Sequence, residues 1–162
     1  MVDHQGNDAE LIQLTLPSRV EYLGAARLLV SGVASRMGFT YEEIEDIKLA
    51  VGEACTNSIE HAYGQEAGRL HLDCLIYRDR LTITVADQGK GFAVETVEDR
   101  LSPLAAVTDE EDLEEGGLGL YLIHALMDEV VLHTASGVSI SMTKYLRRDG
   151  VAGNDQTISN KI

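Results

Sequence analysis

The chain has 162 residues, 44% of them hydrophobic, enough for one compact domain with a continuous core. Its 13 Lys and Arg against 27 Asp and Glu, a formal charge of -14, repel nucleic acid phosphates, and no basic stripe offsets them, which argues against direct DNA or RNA binding. A macromolecular partner is expected to offer a basic surface instead.

The start, MVDHQGNDAE, lacks the basic head and apolar run of a signal peptide. No apolar stretch approaches the ~20 residues that span a bilayer, so a soluble, cytoplasmic protein without membrane contact is expected. From Glu10 to Leu16 the residues Ile12, Leu14 and Leu16 alternate with Leu11, Gln13 and Thr15, a strand signal closed by Pro17, with Ser18 placed to cap the next helix. Val20 to Met37 carries a helical mixture that Gly38 stops. Thr40 opens a second helix, with Glu43 completing a capping box.

On that second helix Ile44, Ile47, Val51, Ala54, Cys55, Ser58, Ile59 and Ala62 form one stripe, predicted to face the core. Asp46, Glu53, Asn57 and Glu60 take the other face, and Asn57 stands one turn beyond Glu53, so the two side chains reach the same place. Gly64 is expected to end the helix. The runs RLHLDCLIY and RLTITVA, joined at Arg78 and Asp79, read as a hairpin with Leu81, Ile83 and Val85 on one face. Cys55 and Cys74 belong to no CxxC pair and read as inert core thiols in a reducing compartment.

The second hairpin strand runs into Asp87-Gln88-Gly89-Lys90-Gly91. No period persists from Phe92 to Glu115, which includes Pro103 and the acidic run from Asp109, and the segment reads as a long connecting lid. Gly116-Gly117-Leu118-Gly119 then opens a helix through Met127, and EVVLHTASGVSISMTKYL makes a last hairpin turning near Ser136 and Gly137. Residues 1–148 are therefore expected to form a single domain and 149–162 a polar tail. About five strands and three helices, with antiparallel hairpins, predict an α+β, two-layer sandwich: helices on one face of a mostly antiparallel sheet.

Taken singly, the Glu53/Asn57 pair and the two glycine clusters have plain explanations as a solvated helix face, a turn and a hinge. Together they describe something more specific. One glycine-rich turn leaves a strand and another enters a helix, which lets backbone N–H groups approach phosphates. An Asn carbonyl oxygen suits Mg²⁺, which keeps few protein ligands beside substrate phosphates. Glu53 is then placed to orient or deprotonate a nucleophile, and Asp87 to accept a hydrogen bond from an amino group such as that of adenine. Neither a P-loop nor a complete G-x-G-x-x-G unit nor the eukaryotic-type kinase motifs occur.

The order E-x-x-x-N on a helix, D-x-G-x-G after a strand, a lid, and G-G-x-G before a helix resembles the Bergerat-type ATP-binding fold of gyrase, Hsp90, bacterial histidine kinases and MutL. Within it, EDIKLAVGEACTNSIEHAY, ITVADQGKGF and EEGGLGLYLIHALMDEV are similar to the small anti-sigma factor serine kinases, those of the sigma-B type above all. The likeness extends from about Leu11 to Leu146. It implies a homodimeric, ATP-dependent serine-protein kinase that sequesters a general-stress sigma factor and phosphorylates a serine of an anti-sigma factor antagonist.

By the same resemblance Asn57 is the Mg²⁺ ligand, Glu53 the general base and Asp87 the holder of the adenine amino group of ATP or ADP. Gly89, Gly91, Gly117, Leu118 and Gly119 shape the nucleotide pocket, with Thr56 a neighbour of the phosphates. Lys90 or Arg100 assists at the terminal phosphate, and Arg27 on the first helix is a candidate partner contact. His61 reads as a structural histidine rather than a phosphoacceptor. Two other readings stand beside this one: an ATP-binding anti-sigma module that moves no phosphate, and a histidine-kinase-like catalytic domain.

Overall fold

The computed structural model describes residues 9–61, 68–87, 118–133 and 139–147. Strand β1 (Glu10–Pro17) leads through a 3-10 turn (Val20–Tyr22) into α1 (Leu23–Met37) and then α2 (Tyr41–His61). The hairpin of β2 (Arg69–Ile76) and β3 (Arg80–Asp87) follows, then α3 (Leu118–Leu126), β4 (Glu129–His133) and β5 (Ser139–Tyr145). The five strands form one sheet in the order β1-β2-β3-β5-β4, every neighbouring pair antiparallel. This is the predicted α+β architecture.

Local signals set most boundaries. Gly38 takes the left-handed conformation at φ 98°, and its N–H and that of Phe39 return to the carbonyls of Ser35 and Ala34, which closes α1. Two residues later the capping box forms as the sequence predicts: Thr40 N donates to Glu43 Oε1 (2.8 Å) and Glu43 N to Thr40 Oγ1 (3.2 Å). In the hairpin, Tyr77 N donates to Arg80 O (2.9 Å) across the two-residue Arg78-Asp79 turn. Ser18 departs from expectation. Its backbone N–H still extends the sheet pairing, to Gly68 O at 3.0 Å, so the turn is capped at Arg19 without a side-chain bond, and Ser18 Oγ is buried with no hydrogen-bond partner among the described residues.

Strand register fills one sheet face with apolar rows. Leu14, Leu72, Val85, Ile140 and Leu132 form one row, and Ile12, Cys74, Ile83, Met142 and Val130 the next. The buried stripe of α2 (Ile47, Ala50, Val51, Ala54, Cys55) and Ala26, Val30, Val33 and Ala34 of α1 join these rows, all but the exposed Ile12, in one hydrophobic cluster. The opposite sheet face carries paired polar groups, Thr82 with Thr143 and Thr84 with Ser141, at 2.9 and 2.8 Å. Asp87 ends β3 in register with buried Leu70, itself paired with Leu16, so the carboxylate lies on the helix-covered side of the sheet. Among the described residues no helix is long and apolar enough to cross a membrane.

Candidate nucleotide site

Around Glu53 and Asn57 the polar edge of α2 is covered by another helix, while Glu60 of the same face stays exposed. Helix α3 runs antiparallel along it, with its N-terminal Gly119 over Glu53 and Asn57 and its C-terminal Leu126 at the end of α2 that carries Asp46. Asn57 is consequently buried (9% exposed), while Glu53 stays half-buried at the rim. Periodicity along α2 could not reveal this, because the covering helix comes some 60 residues later in the chain.

Gly119 makes the close approach possible. A Cβ there would stand 3.0 Å from Glu53 Oε2, 3.5 Å from Asn57 Nδ2 and 3.7 Å from Asn57 Oδ1, so two of the three sequence boxes meet at one point. The Glu53 carboxylate thus sits beside the positive end of the α3 dipole. Asn57 Nδ2 is buried with no hydrogen-bond partner among the described residues. An orphaned buried amide costs ~1–3 kcal/mol. A site left polar and unsatisfied in this way, at a helix N-terminus, fits an anionic ligand with its cation. Among the described residues no three His, Cys, Asp or Glu side chains come together as a metal site of their own, and a side-chain amide beside phosphate oxygens is the donor set that suits Mg²⁺.

The remaining predicted residues are placed unevenly. Thr56 is half-buried and its hydroxyl donates to Gly52 O at 2.8 Å, leaving its lone pairs available. Leu118, the first residue of α3, is exposed. Arg27 is an exposed residue of α1, yet its guanidinium lies on α2: a Cβ on Gly52 would meet its Nη2 at 2.8 Å and Nε at 2.9 Å. The only sign of Gly52 in the sequence, immediately before Glu53, is the lack of a side chain mid-helix. Gly89, Lys90, Gly91, Arg100 and Gly117, the lid of 92–115, Gly64, the His61 side chain, the turn near Ser136 and Gly137, and the tail 149–162 lie outside the described residues.

Both cysteines are free and buried. Burial pushes the Cys55 thiol up to about 12, against the opposing charge of Arg27. Burial and then the nearby Asp73 carboxylate push Cys74 up to about 11. Iodoacetamide at pH 8 is therefore expected to label neither in the native protein and both in denaturant, read by intact mass. Because the unfolded thiols ionise first, their contribution to stability is whole below pH 9 and declines as pH rises through the interval to 11 and 12.

The profile of the histidine kinase-like ATPase domain matches residues 16–144. The serine-protein kinase RsbW of Bacillus pumilus is 49% identical over 154 residues, 93% of this chain and 94% of its own length. That of Listeria monocytogenes serovar 1/2a is 47% identical over 149 residues, covering 91% of this chain and 95% of its own. A crystal structure of the RsbU and RsbW domains of a Mycobacterium tuberculosis protein superposes with a TM-score of 0.59 at 18% identity, over 83% of this chain and 32% of the longer one, a likeness of fold.

Proposed function

As a member of the histidine kinase-like ATPase family, among the RsbW serine-protein kinases, this chain is, we propose, an ATP-dependent protein kinase that transfers phosphate to a serine of a partner protein. The observation that carries the reading is the meeting of Glu53, Asn57 and Gly119 at the N-terminus of α3.

Asn57 would hold Mg²⁺ through its side-chain oxygen, and its Nδ2, which has no hydrogen-bond partner among the described residues, is available to ATP. When bound, Mg²⁺ neutralises charge on the phosphate oxygens. Asp87 accepts a hydrogen bond from the adenine amino group, and its place at the buried end of β3 suits a base inserted between sheet and helices. Gly117, Leu118 and Gly119, with Gly89 and Gly91, bring backbone N–H groups to the phosphates, and Thr56 stands beside them. Glu53, half-exposed at the rim, takes the proton of the incoming serine hydroxyl as that oxygen bonds to the terminal phosphorus of ATP and the bond from that phosphorus to the β-phosphate oxygen breaks, releasing ADP. Lys90 or Arg100 balances the charge there.

The partners belong to the same reading: a sigma factor of the sigma-B type, which the kinase sequesters, and an anti-sigma factor antagonist, which it phosphorylates. In this reading Arg27, exposed on α1 with its guanidinium against Gly52, contacts such a partner. The protein acts as a homodimer in the cytoplasm. Calorimetric titration tests the nucleotide half of the proposal directly. ATP and ADP are expected to bind one per chain with Mg²⁺ and at least about tenfold more weakly with EDTA. Binding indifferent to Mg²⁺ would remove Asn57 from its role.

A further inference from the structure

β5 turns Ile140, Met142 and Lys144 in succession to the core side of the sheet, so a lysine stands where the alternation calls for an apolar residue. Lys144 is 9% exposed and paired in register with fully buried Leu81. Its ammonium donates to Leu126 O at 2.6 Å, at the last residue of α3, and lies 3.9 Å from Asp46 Oδ2 on α2. Burying an ammonium is costly unless it is well paired, and a hydrocarbon side chain would fill the row at lower cost.

The contact has a directional consequence. The negative end of the α3 dipole meets Lys144 while the positive end meets Glu53, so both ends of a nine-residue helix are fixed by charge across the same edge of α2. Around Lys144 the attachment is reinforced: Asp128 N donates to Thr143 O (2.9 Å), Tyr145 N to Asp128 Oδ2 (2.7 Å) and Arg147 Nη2 to Asp128 Oδ1 (2.7 Å). Of these groups only Lys144 reaches the helix itself. A helix is stiff over this length, so the axial position of its C-terminus sets that of Gly119 at the other end.

We propose that Lys144 is a positioning residue for the nucleotide site: by holding the Leu126 carbonyl it sets how closely the N-terminus of α3 approaches Glu53 and Asn57. The inference rests on the nucleotide reading above. It adds a residue on the far side of the helix, which touches neither nucleotide nor substrate.

The test is equilibrium binding of a fluorescent ADP analogue with Mg²⁺ to the full chain. Lys144→Met is expected to weaken binding about tenfold, the equivalent of one charged hydrogen bond. KM for ATP should rise with it while kcat at saturating ATP stays within about threefold. Lys144→Gln, too short to reach Leu126 O yet polar, should behave alike and covers the case in which the Met variant fails to fold. Val130→Ala, a core truncation on β4, serves as the control for lost stability and should leave affinity unchanged. Unaltered affinity in a folded Lys144 variant, or an equal loss in Val130→Ala, overturns the inference alone. An unaltered protein that does not bind the analogue overturns the nucleotide reading, and this inference with it.

Discussion

Glu53→Gln is expected to bind ATP as tightly as the unaltered protein or slightly better, and to transfer phosphate about 10³-fold more slowly, within the range for losing a general base. The amide has the shape of the carboxylate and cannot take the serine proton. Affinity should not fall, because the change removes a negative charge from the site that phosphates enter, where like charges repel. Stability without nucleotide should fall by about 0.3–1 kcal/mol, since Glu53 complements the positive end of α3. Tight binding with slow transfer separates a base from a phosphate contact. Equal losses of binding and rate would assign Glu53 to the pocket instead.

Asn57→Ala should show the opposite signature. Without nucleotide its stability is expected within about 1 kcal/mol of the original: the variant loses packing but also discards a buried amide nitrogen that has no partner among the described residues. With Mg-ATP the two proteins diverge. A ligand at 100 times its Kd stabilises the unaltered protein by about 2.7 kcal/mol. If loss of the Asn57 ligand weakens affinity 100-fold, the same concentration stabilises the variant by only about 0.4 kcal/mol. Thermal melts with and without Mg-ATP measure both numbers. An Asn57→Ala protein stabilised as much as the original would exclude the residue from the metal and phosphate site.

The fold was legible wherever its determinants lie close in sequence. Gly38 stops α1 because a left-handed residue is needed there, Thr40 and Glu43 cap α2 within one turn, and the alternation of Leu81, Ile83 and Val85 matches a strand with one buried face. The features that were misread depend on partners distant in sequence. Ser18 reads as a cap because its neighbour Gly68 belongs to the approach to β2, and the sequence that pairs Asn57 with Glu53 gives no sign that α3 covers them. Lys144 carried a signal, a charge at an inward position of an alternating strand, but its meaning required the carbonyl of Leu126 to be in place. The site was legible as a combination of boxes, and α3 supplies the reason for it: Gly119 has no side chain because Glu53 and Asn57 occupy that space.

The most direct test of the kinase assignment is chemical. The purified protein, with Mg²⁺ and γ-labelled ATP, is added to extract of its source cell, with Glu53→Gln in parallel, and the labelled product is hydrolysed to its phosphoamino acids. The expected result is an acid-stable label on a serine of one small protein, absent with the variant. An acid-labile label on histidine, or no label from a protein that binds Mg-ATP, would contradict it.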